Sequence, residues 1–324
     1  MLVADEDDRP VGRVAVYEQI ARNRRASLLL LGDVVAVWLI LGYVIGFASA
    51  GTDAGGVGFL AIFGGIAVVF GLLAYYRGPR VVLSLSGARE IGHDEEPQLW
   101  NVIDELRIGA GLPMPRLYVI QDLSPNAFAT GRDPRHASIA VTTGLLHRMN
   151  RAELQGVLAH ELAHVRNYDV RYATLVAVLV GLVALTSDYF LRTMVFRGGR
   201  AARGAAAAIM LAVALILAVV APISARLVQL AISRRREFLA DASAVEVTRD
   251  PLALVSALEK MDGDPRPTAT ANRATAHLYI MSPIKSYTGN GLFDTHPPTE
   301  QRIAALLAMA HGAPDAGVSA PATV

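Results

Sequence analysis

The stretch Asn150-Arg-Ala-Glu-Leu-Gln-Gly-Val-Leu-Ala-His-Glu-Leu-Ala-His164 decides how this chain is to be read. Asn150 with Glu153 three positions on is a capping-box pair, so a helix is expected to start here. On that helix His160 and His164 lie one turn apart on one face, where both imidazoles can reach a single metal ion. Glu161 is turned by about 100° from His160, beside the ion, placed to take a proton from water there. Zinc suits paired imidazoles and needs no redox partner, so one Zn2+ per chain is expected. The competing reading is a chance match on an ordinary amphipathic helix. With 8 His in 324 residues, chance supplies this pattern in fewer than about one such chain in a hundred.

Two histidines leave a catalytic zinc one protein ligand short. The chain has no cysteine, which excludes thiol catalysis, disulfide scaffolds and Cys-ligated metals. The third ligand must therefore be His, Asp or Glu. Glu237 and Asp241, in Glu-Phe-Leu-Ala-Asp, are again spaced i and i+4 on an expected helix. One of them can ligate while the other hydrogen-bonds a ligand imidazole. The same spacing would serve a solvated acidic face beside Arg234, Arg235 and Arg236, which read as a membrane-surface anchor.

Further out, composition points to a membrane. Hydrophobic residues make up 53% of the chain and charged ones 18%, against ~25% charged in soluble domains. The net charge of +1 gives no reason to expect nucleic acid as a partner. Ser27 to Ala50 and Val57 to Tyr76 are each long enough to cross ~30 Å of hydrocarbon as helices, with a short turn between them. The first reads as a retained anchor rather than a cleaved signal peptide. Arg22, Arg24 and Arg25 precede it and Ala48-Ser49-Ala50 ends it, but its apolar core exceeds the ~7–15 residues of a signal core.

Ala173 to Ser187 and Ala205 to Ala225 form a third and a fourth apolar block. Their link carries Arg192, Arg197, Arg200 and Arg203, so this pair either spans or forms a shallow hairpin. Glu237 can meet His160 only if the chain between them crosses the bilayer zero or two times. The excess of arginine before residue 27 and after residue 77 puts both regions in the cytoplasm. The chain is thus expected in the cell membrane, multi-pass, with its catalytic part facing the cytoplasm. Asp33 and Asp188 are read as interfacial. His93, His136, His147, His277 and His311 lack ligand spacing and are read as surface residues.

The expected organisation is an arm over 1–26, a membrane hairpin over 27–76 and a first catalytic part over 77–171. Membrane segments over 172–232, a second catalytic part over 233–310 and a flexible tail over 311–324 complete it. The first catalytic part should hold a helix through Leu99, Trp100, Val102, Ile103 and Leu106, opened by Asp94 and Pro97. Strands are expected at Leu117–Ile120, Asn126–Thr130 and Ser138–Thr142. The second part should hold a helix opened by Asp250-Pro251, a polar linker over 263–275 and a helix over Thr299–Met309.

Taken together, these motifs resemble the HtpX-type membrane metalloproteases, a family related to the CAAX prenyl proteases. Asn126-Ala-Phe-Ala-Thr-Gly131 resembles its edge-strand signature, and His160 to His164 with Asn167 and Asp169 its zinc helix. Glu237-Phe-Leu-Ala-Asp241 resembles its third-ligand motif, and His296-Pro-Pro with Arg302 its C-terminal signature. The resemblance implies a mostly α membrane protein with about four transmembrane helices and an α+β, zincin-like (gluzincin) catalytic domain with a short edge-stranded sheet. It implies zinc on His160, His164 and Glu237, with Glu161 as general base and acid and Asp241 and Asp169 orienting the imidazoles. His296 would help stabilise the oxyanion, and Asn126, Ala127 and Phe128 would hold an extended peptide. The implied substrates are misfolded membrane proteins under stress. The alternatives are a processing protease of CAAX type, or a non-enzymatic polytopic protein with a structural metal site.

Overall fold

The computed structural model describes residues 16–179, 234–272, 275–283 and 297–311. Most of the third apolar block, with Asp188, all of the fourth, His296 and the tail beyond 311 lie outside the described residues.

Among the described residues, two helices are long and apolar enough to cross a membrane, with spans at Ile20–Phe47 and Asp53–Leu85. They belong to α1 (Val16–Ala50) and α2 (Asp53–Leu85), joined by a turn in which Gly51 takes a left-handed φ of 67° and Thr52 caps α2. The pair packs closely where glycine allows it: a Cβ on Gly46 would run into the Gly55 carbonyl oxygen and stand 2.7 Å from the Phe59 Cβ. Leu28, Leu29, Ile40, Ile62, Val69 and Leu72 point outward and exposed, as side chains facing hydrocarbon do. Asp33 lies on an exposed face of α1. α2 does not stop at the tyrosine pair. It runs through Pro79 to Leu85, and Val82 and Leu83 are buried against Tyr118, Phe128 and Tyr279. The second apolar helix is therefore built into the core of the polar body.

That body holds a four-stranded mixed sheet in the order β1-β2-β4-β3. β1 (Arg89–Glu90) and β2 (Arg116–Ile120) are antiparallel, β2 and β4 (Ala137–Thr142) parallel, and β3 (Ala127–Gly131) and β4 antiparallel. Residue 140 stands opposite both Tyr118 and Phe128, which sets the register. The three expected strands fall within a residue of their places. β1 was not expected; two residues carry no periodicity to read.

α3 (Pro97–Ala110) buries Leu99, Val102, Ile103 and Leu106 and ends on Gly111 at φ 66°. Its N-cap is Glu96, without a side-chain cap bond, and not Asp94, because Pro97 takes the first helical position where its missing N–H costs nothing. α4 (Thr143–Arg148) leads into α5 (Arg151–Arg166), where the capping box is made. Glu153 N donates to Asn150 Oδ1 and Asn150 N to Glu153 Oε2, both at 2.9 Å. α5 is buried nearly all round, through Leu154, Val157, Leu158, Leu162 and Val165. Each such side chain contributes about 1.5–3 kcal/mol of burial, so the helix with the two histidines is also the centre of the core.

After α5 the residues 169–179 are helical. Around α5 pack α6 (Arg234–Thr248), α7 (Pro251–Asp262, capped by Asp250 as expected) and, against α7, α8 (Thr299–Ala310). Residues 263–272 are not a loose linker. Asp264 and Thr268 are buried, Asp264 pairs with Arg148 and Arg266, and Thr268 N donates to Pro283 O. Short polar side chains bond main chain and arginines there, which composition alone does not distinguish from solvation.

Candidate metal centre

α5 and α6 meet face to face at the histidines. His160 is fully buried and His164 half-buried, and their Nε2 atoms stand 3.2 Å apart. Glu237, from α6, closes the triangle with Oε2 3.7 Å from His160 Nε2 and Oε1 3.5 Å from His164 Nε2. Nitrogen and oxygen ligands at ~2.0–2.1 Å from one tetrahedral zinc stand about 3.3 Å from each other, so the spacing fits a divalent ion. The donor chemistry agrees. Each Nδ1 is engaged by a carboxylate, which in the neutral imidazole puts the proton on Nδ1 and leaves Nε2 to ligate.

Asp241 and Asp169 stand behind the imidazoles. His160 Nδ1 donates to Asp241 Oδ1 at 2.9 Å, and His164 Nδ1 to Asp169 Oδ2 at 3.0 Å. Asp241 is gripped in turn by Arg302, whose Nε and Nη2 donate to its two oxygens at 2.8 and 2.7 Å. Arg302 is 1% exposed and also donates to Ile280 O. Sequence reading placed Arg302 in a signature without a role. Only the folded chain brings α8 onto α6, more than sixty positions earlier.

Electrostatics follow from burial. Burial would raise the Asp241 carboxyl, but the Arg302 charge and its hydrogen bonds outweigh that and hold it at about 2. Burial pushes the Glu161 carboxyl up to about 7, a value suited to taking and returning a proton near neutrality. Burial would lower His164, yet the Asp169 hydrogen bond and the charges of Glu237, Asp169 and Glu161 carry it to about 9. His160 is held low, chiefly by its complete burial.

Glu161, His164, Asp169 and Glu237 line a cleft of about 40 Å³ with Ala129 and Tyr279, room for a few waters. His277 lines it too and is buried, its Nε2 donating to Ala173 O at 3.1 Å, so it is not the surface residue expected. A histidine that serves the core through a backbone carbonyl leaves no spacing signal. His93, His136, His147 and His311 are exposed. Arg236 is buried as well, over the Tyr172 ring and 3.9 Å from Asp169, and so does not anchor at a membrane surface.

The edge residues are engaged within the chain. Asn126 Nδ2 donates to Met281 O at 3.0 Å, Ile280 N donates to Ala127 O at 2.9 Å, and Phe128 packs edge-on against Tyr279. Residues 279–281 thus lie along this end of β3. His296 falls outside the described residues.

A family described as Peptidase family M48 matches residues 93–310. The chain is also similar to proteins described as "Protease HtpX homolog". The one from Ligilactobacillus salivarius is 40% identical over 292 residues, covering 89% of this chain and 98% of that protein. Those from Lactobacillus acidophilus and Tropheryma whipplei strain TW08/27 are each 42% identical, covering 89% and 91% of this chain and 98% of each relative.

Proposed function

This chain belongs to peptidase family M48 and is a membrane metalloprotease; on that premise we propose that it is a zinc-dependent endopeptidase with its ion on His160, His164 and Glu237. The observation that carries the reading is the meeting of two Nε2 lone pairs and one carboxylate within 4.8 Å. Bound there, the ion supplies Lewis acidity to the scissile carbonyl and to water.

The chain's own residues do the rest. Glu161, at the wall of the cleft with its carboxyl near 7, takes the proton of the attacking water and passes it to the leaving amine. Asp241 and Asp169 fix the imidazole tautomers and ring orientations. His296 is the oxyanion donor in this reading. An extended peptide pairs with the edge at Asn126, Ala127 and Phe128, displacing residues 279–281 as it does so.

The working position is the cell membrane, multi-pass, with the catalytic body on the cytoplasmic side, as the distribution of arginine favours. The physiological work is removal of misfolded membrane proteins. Its support is the packing of the catalytic core onto the end of α2, which keeps the cleft close to the membrane helices. Glu161→Gln tests the chemistry in the detergent-purified chain. Zinc content should stay, and casein hydrolysis should fall by about 10²–10⁴-fold; cleavage at the wild-type rate would remove Glu161 from the mechanism.

A further inference from the structure

The two imidazoles are backed by different elements of the chain. Behind His160, Asp241 is held by Arg302 of α8. Behind His164, Asp169 is held by a residue of the first apolar helix: Asn23 Nδ2 donates to Asp169 Oδ1 at 2.6 Å and to Asn167 O at 2.8 Å. Both protons of one amide are used in this way. Asn23 is 2% exposed, and an amide so placed is costly without partners. Its bonds also straddle a strained turn. Tyr168, between Asn167 and Asp169, has φ 62°, a conformation that costs a non-glycine residue about 1 kcal/mol or more. Arg24 lies over the Tyr168 ring at 4.6 Å, and Ser27 Oγ donates to Asn23 O one turn along the helix.

We propose that Asn23 is a positioning residue of the metal centre: it fixes the Asp169 carboxylate, which holds His164 with Nε2 toward the ion. The first membrane helix then completes the centre from outside the catalytic body, and the ion's environment depends on how that helix is seated. Arg236, 3.9 Å from the same Asp169 oxygen, is too far to hydrogen-bond it. The proposal rests on the ligand assignment above.

The test uses the full chain in detergent, zinc alone as probe and a chromophoric chelator as competitor. Asn23→Ala should weaken zinc about tenfold, the lower end of the range for groups that orient a ligand. It should lower kcat on a peptide while leaving KM in place, because the amide touches no substrate. In an Asp169→Asn background the same change should have no further effect on zinc. Ser27→Ala, on the same buried face, should bind zinc as the wild type does. Asn23→Ser, which keeps one donor in the same slot, should fall between wild type and Ala, and it decides the matter if the Ala variant does not fold. Wild-type affinity in the Asn23 variants, or the same loss in both backgrounds, would overturn the proposal. Absence of zinc uptake by the wild type would instead overturn the ligand assignment, so the two failures are distinguishable.

Discussion

At the scale of the residue, the centre is layered: two imidazoles, two carboxylates behind them, and then donors that hold the carboxylates. Arg302 carries the sharpest consequence. Its fork satisfies both oxygens of Asp241 in a site where neither partner meets water. Arg302→Met leaves that carboxylate buried and unpaired, which costs about 3–5 kcal/mol. It should also weaken zinc by about 10–100-fold through a loosened His160. Arg302→Lys should recover only part, since a point charge cannot make the bidentate contact. Thermal midpoints and chelator competition on the two variants measure this; wild-type values for Arg302→Met would refute it. The ligand spacing was legible because i and i+4 are one turn on any helix. The role of Arg302 was not, because nothing local links it to Asp241.

At the scale of the element, α5 serves as both site and core, so packing and chemistry are coupled through it. Gly156, one turn before His160, faces α7 so closely that a Cβ would stand 3.1 Å from the Leu254 Cα. Gly156→Val should therefore push the helices apart and cost about 1–3 kcal/mol. Activity should fall with it, as His160 moves relative to Glu237; a variant with unchanged denaturant midpoint would contradict the close packing. Residues 263–272 carry a pH signature. Asp264 is kept at about 2, first by the Arg266 hydrogen bond and then by the nearby arginine charges against the opposing effect of burial. Its folded value lies below the ordinary 3.8, so its contribution is present above that pH and is lost as pH falls towards 2. Asp264→Asn should be less stable than wild type at pH 6, with the difference shrinking steadily as the pH falls through 3.8 and then 2. A gap independent of pH would exclude the ion pairs. Capping box, strands and helix periods were legible here because each is a local pattern. The structured 263–272 stretch was not, since its partners are Arg148, Asp122 and Pro283.

At the scale of the whole molecule, the ion would bridge α5 and α6, elements separated in sequence by apolar blocks that lie mostly outside the described residues. Zinc bound there at a thousandfold excess over its dissociation constant would stabilise the folded chain by about 4 kcal/mol. A strong chelator should thus lower the thermal midpoint of the wild type and leave Glu237→Ala nearly unmoved. Equal shifts in the two would place the third ligand elsewhere. The amino-acid sequence by itself determined the paired histidines, the glutamate beside them, the need for a carboxylate or imidazole in the absence of cysteine, and two apolar helices. All of these are written in spacing, composition or length. Only the tertiary structure decided that Glu237 meets the histidines, that Arg302 and Asn23 stand behind the carboxylates, that His277 and Arg236 are buried and that residues 279–281 lie along β3. Those contacts join residues up to 155 positions apart, and no local pattern encodes a pairing that chain packing alone brings within hydrogen-bond reach.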